Sequence, residues 1–162
     1  MRVHVETDLP CSVEQAWEAI QSAALLSEVS GPLVPFEAVE PLSVQERWTA
    51  SRVLRFRTYL FGGIVLGVRT IEVNFIHPEE HVIQTQERDS VVHLWQHRMA
   101  LRPAPHGQAF YSDIVDIEAG LSTLSVWISA QWLYRHRHRR WLKVMRRLSG
   151  ENMGGKKVWR HG

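Results

Sequence analysis

The feature that most constrains this chain is an uninterrupted stretch of 28 residues, 121–148, that contains neither Gly nor Pro. As a single helix it would be about 40 Å long, at about 1.5 Å per residue. Gly120 before it and Ser149-Gly150 after it are typical helix ends, and Ser122 is a candidate N-cap. Its apolar residues recur at spacings of three and four and predict one broad stripe, namely Leu121, Leu124, Ile128, Trp132, Leu142 and Met145. The rest of the chain must supply the surface that covers this stripe.

Upstream of this stretch, the apolar pattern predicts a sheet preceded by two short helices. A first strand at 2–7 leads into a helix that starts with the capping box Ser12-x-x-Gln15, and a second short helix ends at Gly31-Pro32. From residue 34 onward, apolar and polar residues alternate, and short turns separate the segments. The predicted strands are 34–40, 46–60, 64–76, 81–87, 91–102 and 108–118. We therefore predict an α+β fold with an antiparallel sheet of about seven strands.

Length and composition indicate one soluble globular domain. A chain of 162 residues can bury about 70% of its unfolded surface. The single cysteine, Cys11, cannot form an intramolecular disulfide, which is typical of a reducing compartment. The amino terminus lacks the features of a signal peptide, and no apolar run approaches the ~20 residues of a membrane span. We expect a cytoplasmic protein without a transmembrane segment.

Charge is unevenly distributed along the chain. Ten of the 19 Lys and Arg residues follow residue 130, whereas 16 of the 17 Asp and Glu residues precede residue 131. The body is therefore acidic and the carboxy-terminal part is basic. Residues 149–162 are rich in Gly and charge, which predicts a flexible basic tail after a single domain at 1–148.

The order of these elements resembles the SRPBCC superfamily, which includes START, Bet v 1-like and polyketide cyclase/dehydrase-like proteins. Residues 8–20, DLPCSVEQAWEAI, are similar to the family's opening, in which a strand leads through Pro and Ser into a Trp-containing helix. Further similar motifs are Phe61-Gly62 with Leu66-Gly67, Trp95-x-His97, Tyr111-x-Asp113 and the basic run 134–140. The resemblance implies a helix-grip fold, in which a curved antiparallel sheet wraps around the long carboxy-terminal helix and leaves a ligand cavity between them. It does not imply one chemistry, because the superfamily includes carriers, receptors and cyclases.

The last predicted hairpin places a His and an Asp on the same face of the sheet. With the turn centred on Pro105, His97 lies directly opposite Asp113. The face that they share is assigned to the interior because its other members are apolar or aromatic, namely Trp95, Met99, Leu101, Tyr111, Val115 and Ile117.

Two interpretations of this pair stay open. In the first, Asp113 orients His97 and raises its basicity, giving a proton acceptor or a hydrogen-bonding anchor for a ligand carbonyl or hydroxyl. In the second, the two side chains form a buried polar pair that satisfies itself and contacts no ligand. His97 and Asp113 are thus candidate catalytic residues only.

The ligand cavity is predicted to lie between the long helix and the inner face of the sheet. The residues expected to line it are Trp95, His97, Met99, Tyr111, Asp113, Phe61, Phe75, Trp127, Ile128, Gln131 and Arg135. The apolar, glycine-rich hairpin tip at 61–67 either gates the cavity entrance or is a plain tight turn.

The basic run 135–140 also has two interpretations. It is either a phosphate-binding patch or, as we expect from its spread around the helix, a solvated helix end whose cations complement the acidic body. Binding to nucleic acid is therefore not expected. Because Arg135 and His138 continue the predicted stripe, one of them should reach the cavity and meet a ligand carboxylate or an inner acid such as Glu72.

No metal or other cofactor is expected. His81, His93 and His97 would suit a metal if they shared the inner face, but the strand register behind that arrangement is weakly specified. No other histidine lies at metal-ligand spacing.

Three functional hypotheses follow. The first is a non-catalytic protein that binds, and in doing so transports or sequesters, a small hydrophobic, aromatic or lipidic molecule. The second is a cyclase- or dehydratase-like enzyme in which His97 moves protons and Asp113 tunes it. The third is an interaction module that acts through its basic carboxy-terminal helix on acidic protein, nucleic acid or membrane surfaces. The sequence leaves the ligand and the oligomeric state open.

Overall fold

A computed structural model of the protein describes residues 1–31, 34–40, 47–60 and 63–154. The strands are β1 (Arg2–Leu9), β2 (Phe36–Ala38), β3 (Val53–Leu60), β4 (Ile64–His77), β5 (Val82–Arg88), β6 (Leu94–Pro103) and β7 (Ala109–Glu118). The α-helices are α1 (Val13–Ile20), α2 (Ala23–Ser30) and α3 (Thr123–Gly154). Single 3₁₀ turns lie at Pro105–Gly107 and Gly120–Ser122.

The seven strands form one antiparallel sheet, as predicted. Their order is β1-β7-β6-β5-β4-β3-β2, so only the contact between β1 and β7 joins strands distant in sequence. α3 packs on β1 and β7, α1 packs on β6 and β7, and α2 packs between α3 and β2. The α+β helix-grip architecture expected from the sequence is therefore confirmed.

The two short helices form where the local sequence predicts them. The hydroxyl of Ser12 accepts a hydrogen bond from the Gln15 backbone, and the Gln15 side chain accepts one from the Ser12 backbone, which completes the predicted capping box. Gly31 ends α2 in the left-handed region, with φ of +58°. A Cβ at this position would lie 2.9 Å from the side chain of Arg140, so glycine also allows α2 to approach α3 closely.

The long helix is oriented differently from the prediction. Its buried face consists of Ala130, Tyr134, Arg137, His138, Trp141, Val144 and Met145. Four members of the predicted stripe are exposed instead, namely Leu121, Leu124, Ile128 and Trp132. The prediction counted apolar residues and placed Met145 correctly, but Tyr134, Arg137, His138 and Trp141 also face the interior.

The predicted ends of the long helix were also partly wrong. Its first α-helical residue is Thr123, directly after the predicted N-cap Ser122 and the 3₁₀ turn. The helix then continues through Ser149-Gly150, the predicted end, as far as Gly154. A glycine costs only about 1 kcal/mol inside a helix, so a single one does not stop it. Residues 155–162 of the predicted tail lie outside the described part of the chain.

The register of the last hairpin differs from the prediction by two residues. His97 pairs with Val115 and Met99 pairs with Asp113, because the turn is centred on His106 instead of Pro105. His106 and Gly107 both adopt left-handed backbone angles, with φ of +60° and +70°. A shift of two residues preserves the face, since the side-chain period of a strand is two. His97 and Asp113 therefore remain on the same inner face, as diagonal neighbours.

None of the described helices is long and apolar enough to cross a membrane.

Candidate functional site

The interior between α3 and the sheet holds a buried carboxylate with three hydrogen-bond donors. Asp113 is fully buried, and its Oδ1 accepts a hydrogen bond of 2.5 Å from His97 Nε2 and one of 2.8 Å from the Tyr111 hydroxyl. Its Oδ2 accepts one of 2.9 Å from His138 Nε2. An ionised carboxylate can only accept, so both imidazoles must present an Nε2–H group. Asp113 therefore links β6, β7 and α3 at one point.

The cluster continues across the sheet through alternating charges. Glu87 Oε1 lies 3.8 Å from Nδ1 of His97, and its other oxygen accepts a hydrogen bond of 3.3 Å from Arg69. Arg69 also donates to Asp89 at 2.6 Å and lies over the ring of Trp95, 4.7 Å from its centroid. An ionic chain thus runs from β4 through β5 and β6 to β7.

The pKa values of these groups follow from their mutual contacts. Burial alone would lower the pKa of His97, but its contacts with Asp113 and Glu87 outweigh burial and raise that pKa above 6.5. Burial would conversely raise the pKa of Asp113, yet the charge of His97 and the hydrogen bonds from both imidazoles hold it well below 3.8. The pKa of Glu87 is also lowered, by His97 and Arg69 acting against burial. These shifts favour the protonated form of His97 and the ionised forms of both carboxylates.

Charges in the cluster balance when His97 is protonated. The cations are Arg69, Arg137 and His97, and the anions are Glu87, Asp89 and Asp113. Such balance is what allows so many charges to be withdrawn from water. This count leaves out His138, which donates its Nε2–H group to Asp113.

Three polar atoms on the buried face of α3 have no hydrogen-bond partner among the residues that the structure describes. They are Nε of Arg137, Nδ1 of His138 and Nε1 of Trp141, which lie on neighbouring turns of the helix. Arg137 is only 4% exposed, and no described carboxylate lies within 4.0 Å of its guanidinium, which instead lies 4.9 Å from the centroid of the Tyr134 ring. Buried polar groups are normally hydrogen-bonded, so these three atoms are available to bind a polar group of a ligand.

An apolar groove of about 370 Å³ opens further along the same helix. It is lined by Cys11, Gln15, Glu18, Ala19, Met145, Leu148 and Ser149. Met145 lies one helical turn beyond Trp141, so the groove begins about 10 Å from Arg137 and His138 along the helix axis. Burial raises the pKa of the Cys11 thiol to about 11, which keeps this side chain a neutral, apolar part of the wall.

The structure brings most of the predicted strand residues together. Trp95, His97, Met99, Tyr111 and Asp113 are all buried on the inner face of β6 and β7. The indole N–H of Trp95 is 3.4 Å from the Tyr134 hydroxyl, which joins this set to α3.

Several other predicted site residues lie elsewhere. Ile128 is 57% exposed, and Arg135 is exposed and donates to the backbone of Gln131. Gln131 itself is only half-buried, at the side of the helix. Trp127 donates its indole N–H to the backbone of Arg2, at the outer strand of the sheet. The exposure of Ile128 and Arg135 has the same cause, because both belong to the wrongly assigned face of the helix.

The predicted inward positions of Phe75 and Glu72 on strand β4 are wrong, and the prediction for Phe61 falls outside the described residues. A β-bulge between Val73 and Phe75 reverses the alternation, so Phe75 pairs with Gln84 on the outer face and its ring contacts His77. The expected inner acid Glu72 faces outward and lies 4.0 Å from Arg88. The predicted lining residue Phe61 and its glycine neighbour in the hairpin tip lie outside the described residues.

Four charged or aromatic members of the cluster were missed by the sequence analysis: Arg69, Glu87, Tyr134 and Arg137. The inward position of Glu87 was predictable from the sequence, since Glu87 continues the inward alternation of Ile83 and Thr85 on β5. That of Arg137 was not, because a central Arg of a basic run is normally solvated. The interpretation of 135–140 as a solvated end was thus wrong for Arg137. Of the two residues expected to reach inward, His138 is buried and meets an inner acid, although this acid is Asp113 and not Glu72, whereas Arg135 is exposed.

Among residues 1–31, 34–40, 47–60 and 63–154, no three His, Cys, Asp or Glu side chains are arranged so that they could hold a metal ion. His81 contacts Trp17 near one end of β6, whereas His93 precedes the other end of that strand. The predicted alternative of a triad with His97 is therefore not formed. Within the cluster, the carboxylates of Asp113 and Glu87 contact the imidazoles of His97 and His138.

We expect the contribution of His97 to stability to fall as pH rises. A folded-state pKa above the unfolded value of 6.5 stabilises the fold fully below pH 6.5, and this stabilisation is lost as pH rises through the folded pKa. Replacing His97 by Gln should therefore lower the free energy of unfolding by about 2 kcal/mol or more near pH 5.5, and by less at pH 8.5. Urea unfolding of both proteins across this range measures the difference.

His4→Gln is the matched control, because His4 is half exposed on β1. Its effect on stability should be close to zero throughout. A His97→Gln effect that stays constant or grows with pH would contradict the assignment of a charged His97.

The overall fold is shared with solved structures of low sequence identity. A START superfamily protein from Mycobacterium smegmatis is 16% identical, with a TM-score of 0.67 over 91% of this chain and 98% of that chain. The Zhui aromatase/cyclase from Streptomyces sp. R1128 is 11% identical, with a TM-score of 0.67 over 91% of this chain and 94% of that chain. Norcoclaurine synthase from Thalictrum flavum is 9% identical, with a TM-score of 0.62 over 89% of this chain and 85% of that chain.

No protein-family model matches the sequence, and no curated protein is significantly similar to it. Identities this low establish the fold alone. The architecture nevertheless agrees with the one implied by the sequence motifs at both ends of the chain. The chain has the helix-grip fold of the START and Bet v 1-like proteins, as its resemblance to the SRPBCC superfamily implied.

Proposed function

We propose that this protein binds, without transforming it, a small molecule that has an apolar body and one anionic oxygen group. The observation that carries the proposal is the buried guanidinium of Arg137, which has no carboxylate within 4.0 Å among the described residues and has an unfilled Nε. A ligand carboxylate or phenolate would fill this position with charge-assisted hydrogen bonds.

An anionic partner would offset the free-energy cost of burying the Arg137 guanidinium. Removing a guanidinium from water costs several kcal/mol, and only close opposite charge and full hydrogen bonding offset that cost. The carboxylates of Glu87 and Asp113 already serve His97, Arg69 and His138, so little of their capacity remains for Arg137.

His138 supplies the second contact in this proposal. Its Nε2–H group donates to Asp113, and its buried Nδ1 has no partner in the described part of the chain. A polar group of the ligand that bonds to this nitrogen would hold the ligand beside Arg137.

The apolar body of the ligand would lie towards the groove beside Met145. Three features follow each other along successive turns of one face of α3. They are the Arg137–His138 pair, the indole N–H of Trp141, and Met145 in the wall of the groove. The separation of about 10 Å along the helix suits an elongated aromatic or lipidic molecule. Transport and sequestration both require only such reversible binding.

His97 does not have the environment of a catalytic base. Both of its nitrogens face carboxylates, and its raised pKa favours the protonated form, which has no free lone pair. This arrangement favours a structural cation, and therefore a binding protein.

A second candidate function rests on His138. Asp113 orients this imidazole and its Nδ1 is free, which is the arrangement of an Asp–His dyad acting as a general base. Two proteins of the same fold are named as an aromatase/cyclase and as norcoclaurine synthase. An enzyme of the cyclase or dehydratase kind would use His138 in the role that the sequence suggested for His97.

The proposal predicts a binding preference that one substitution removes. A fluorescent aromatic carboxylic acid should bind, and its methyl ester should bind much more weakly because the ester lacks the charge. Arg137→Gln should weaken binding of the acid by about 10- to 100-fold and leave the ester unchanged. Fluorescence titration of both probes measures these affinities.

Arg135→Gln is the matched control, since it removes the same charge two residues away on the exposed side of α3. It should change the affinity for the acid by less than about twofold. Equal binding of acid and ester, or equal loss in both variants, would overturn the proposal. Recovery of a chemically altered probe by wild-type protein, but not by His138→Gln, would favour the enzyme.

A further inference from the structure

The solvent side of α3 carries a surface that the proposed ligand site does not use. Its residues follow each other at spacings of three, four or seven, so they form one stripe along the helix and the 3₁₀ turn before it. We call this surface the outer stripe, and its members are Leu121, Leu124, Ile128, Trp132, Arg135, Arg139 and Arg146. The first four are large and apolar and the last three are basic.

The apolar half of the outer stripe is unusually exposed. Leu121 is completely exposed, and Leu124, Ile128 and Trp132 are each more than half exposed. Hydroxyl groups of the neighbouring Ser125 and Ser129 donate to backbone carbonyls of their own helix, so they add little polarity. A contiguous apolar ridge of this kind marks an interaction surface.

The basic half of the outer stripe determines which partner fits. Residues 121–150 contain seven Lys and Arg residues and no Asp or Glu. Of these cations, Arg137 is buried, and Arg140 and Arg147 bind the carbonyl and the carboxylate of Glu28. The others are exposed, namely Arg135, Arg139, Lys143 and Arg146. The partner must therefore offer both an apolar phase and negative charge.

We propose that the outer stripe docks the protein on the surface of an anionic phospholipid bilayer. Leucine, isoleucine and tryptophan side chains would enter the boundary between headgroups and acyl chains, and the arginines would meet lipid phosphates. Nucleic acid fits less well because it offers no apolar phase for Leu124 and Ile128. An acidic protein would have to match both halves along about 40 Å of helix.

Docking on a bilayer would place the protein where apolar ligands reside. The inference does not depend on the proposed ligand site, because the outer stripe lies on the opposite side of α3 from Arg137 and His138. Loss of ligand binding would leave docking intact, and loss of docking would leave binding of a soluble probe intact.

Co-sedimentation with lipid vesicles tests the inference. The full chain should bind vesicles of phosphatidylcholine mixed with phosphatidylserine, bind pure phosphatidylcholine far more weakly, and be released by about 0.5 M salt. The double variant Arg135→Gln/Arg139→Gln should weaken binding by about 20-fold. Leu124→Ser/Ile128→Ser should weaken it by about tenfold or more while retaining the charge.

The matched control is Arg55→Gln/Arg57→Gln, which removes two exposed cations from β3 and gives the same net charge. Its vesicle affinity should stay within about twofold of wild type. Equal losses in the two arginine variants would overturn the inference by showing that only net charge acts. Binding to a DNA duplex without binding to either vesicle would overturn it in favour of nucleic acid, and salt-resistant binding to pure phosphatidylcholine would contradict the role of charge.

Discussion

Replacing Asp113 by Asn is expected to lower the free energy of unfolding by about 3–5 kcal/mol near pH 6. The carboxylate is fully buried and accepts hydrogen bonds from His97, Tyr111 and His138. Asparagine keeps the shape but removes the charge, and its NH₂ group would face a donor on one side. Protonated His97 would then lose its closest counter-charge. Urea denaturation followed by circular dichroism measures the loss.

Asp116→Asn provides the control on the same strand. Asp116 pairs with Arg2 at the surface, and the Arg2 side chain is 66% exposed. Exposed pairs contribute at most about 1 kcal/mol, so this variant should remain near wild type. Similar small losses in the two variants would show that Asp113 does not organise the interior.

Replacing Arg69 by Gln is expected to cost about 3 kcal/mol or more of folding free energy. Arg69 is largely buried, donates to both Glu87 and Asp89 and lies over Trp95. Without Arg69, the carboxylates of Glu87 and Asp89 lose the cation that they contact on β4. Their pKa values should rise towards the ordinary range, so the variant should also unfold at a higher pH during acid titration.

The sign of that acid effect follows from the direction of the shifts. Carboxylates with lowered pKa values stabilise the fold above their unfolded pKa, and this stabilisation is lost as pH falls through the folded pKa. Arg88→Gln is the control, because Arg88 is 60% exposed and lies 4.0 Å from Glu72. An Arg69→Gln protein with wild-type stability and an unchanged acid transition would show that the buried ion pairs are not coupled.

The sheet was predictable because its information is local. Turn residues at short intervals fix successive hairpins, and alternation fixes the inner face even where the register is wrong by two residues. The position of Asp113 beside His97 survived that error for this reason. Phe75 was lost because a bulge has no reliable mark in a single sequence, and it reverses the side chains that follow.

The interior of α3 was not predictable from apolar periodicity. The rule that large apolar residues face the core selected Leu124, Ile128 and Trp132, all of which are exposed. Arg137 and His138 instead face the sheet because Asp113 and the balanced charges around it offset their desolvation. That compensation comes from β5, β6 and β7, so no pattern within the helix could reveal the burial of Arg137. His138 was one of two candidates for an inward position, because it continues the predicted stripe.

Sequence analysis therefore predicted the strand side of the candidate site better than its helix side. The strand side, with His97, Tyr111 and Asp113, followed from alternation, whereas the helix side moved by two residues, from Arg135 to Arg137. A two-residue change on a helix rotates a side chain by about 200°. The functional hypothesis changes with it, because the buried guanidinium and the free Nδ1 of His138 now define what a ligand would meet.

The most direct test of a ligand site at Arg137 and His138 is the NMR spectrum of the histidine imidazole nitrogens during titration with the aromatic carboxylic acid. We expect the His138 Nδ1 resonance to shift with the same saturation curve as binding, because the proposed ligand contacts this nitrogen. The exposed His4 should not respond. A His138 resonance that stays unchanged at saturation, while the probe binds elsewhere, would contradict the proposed site.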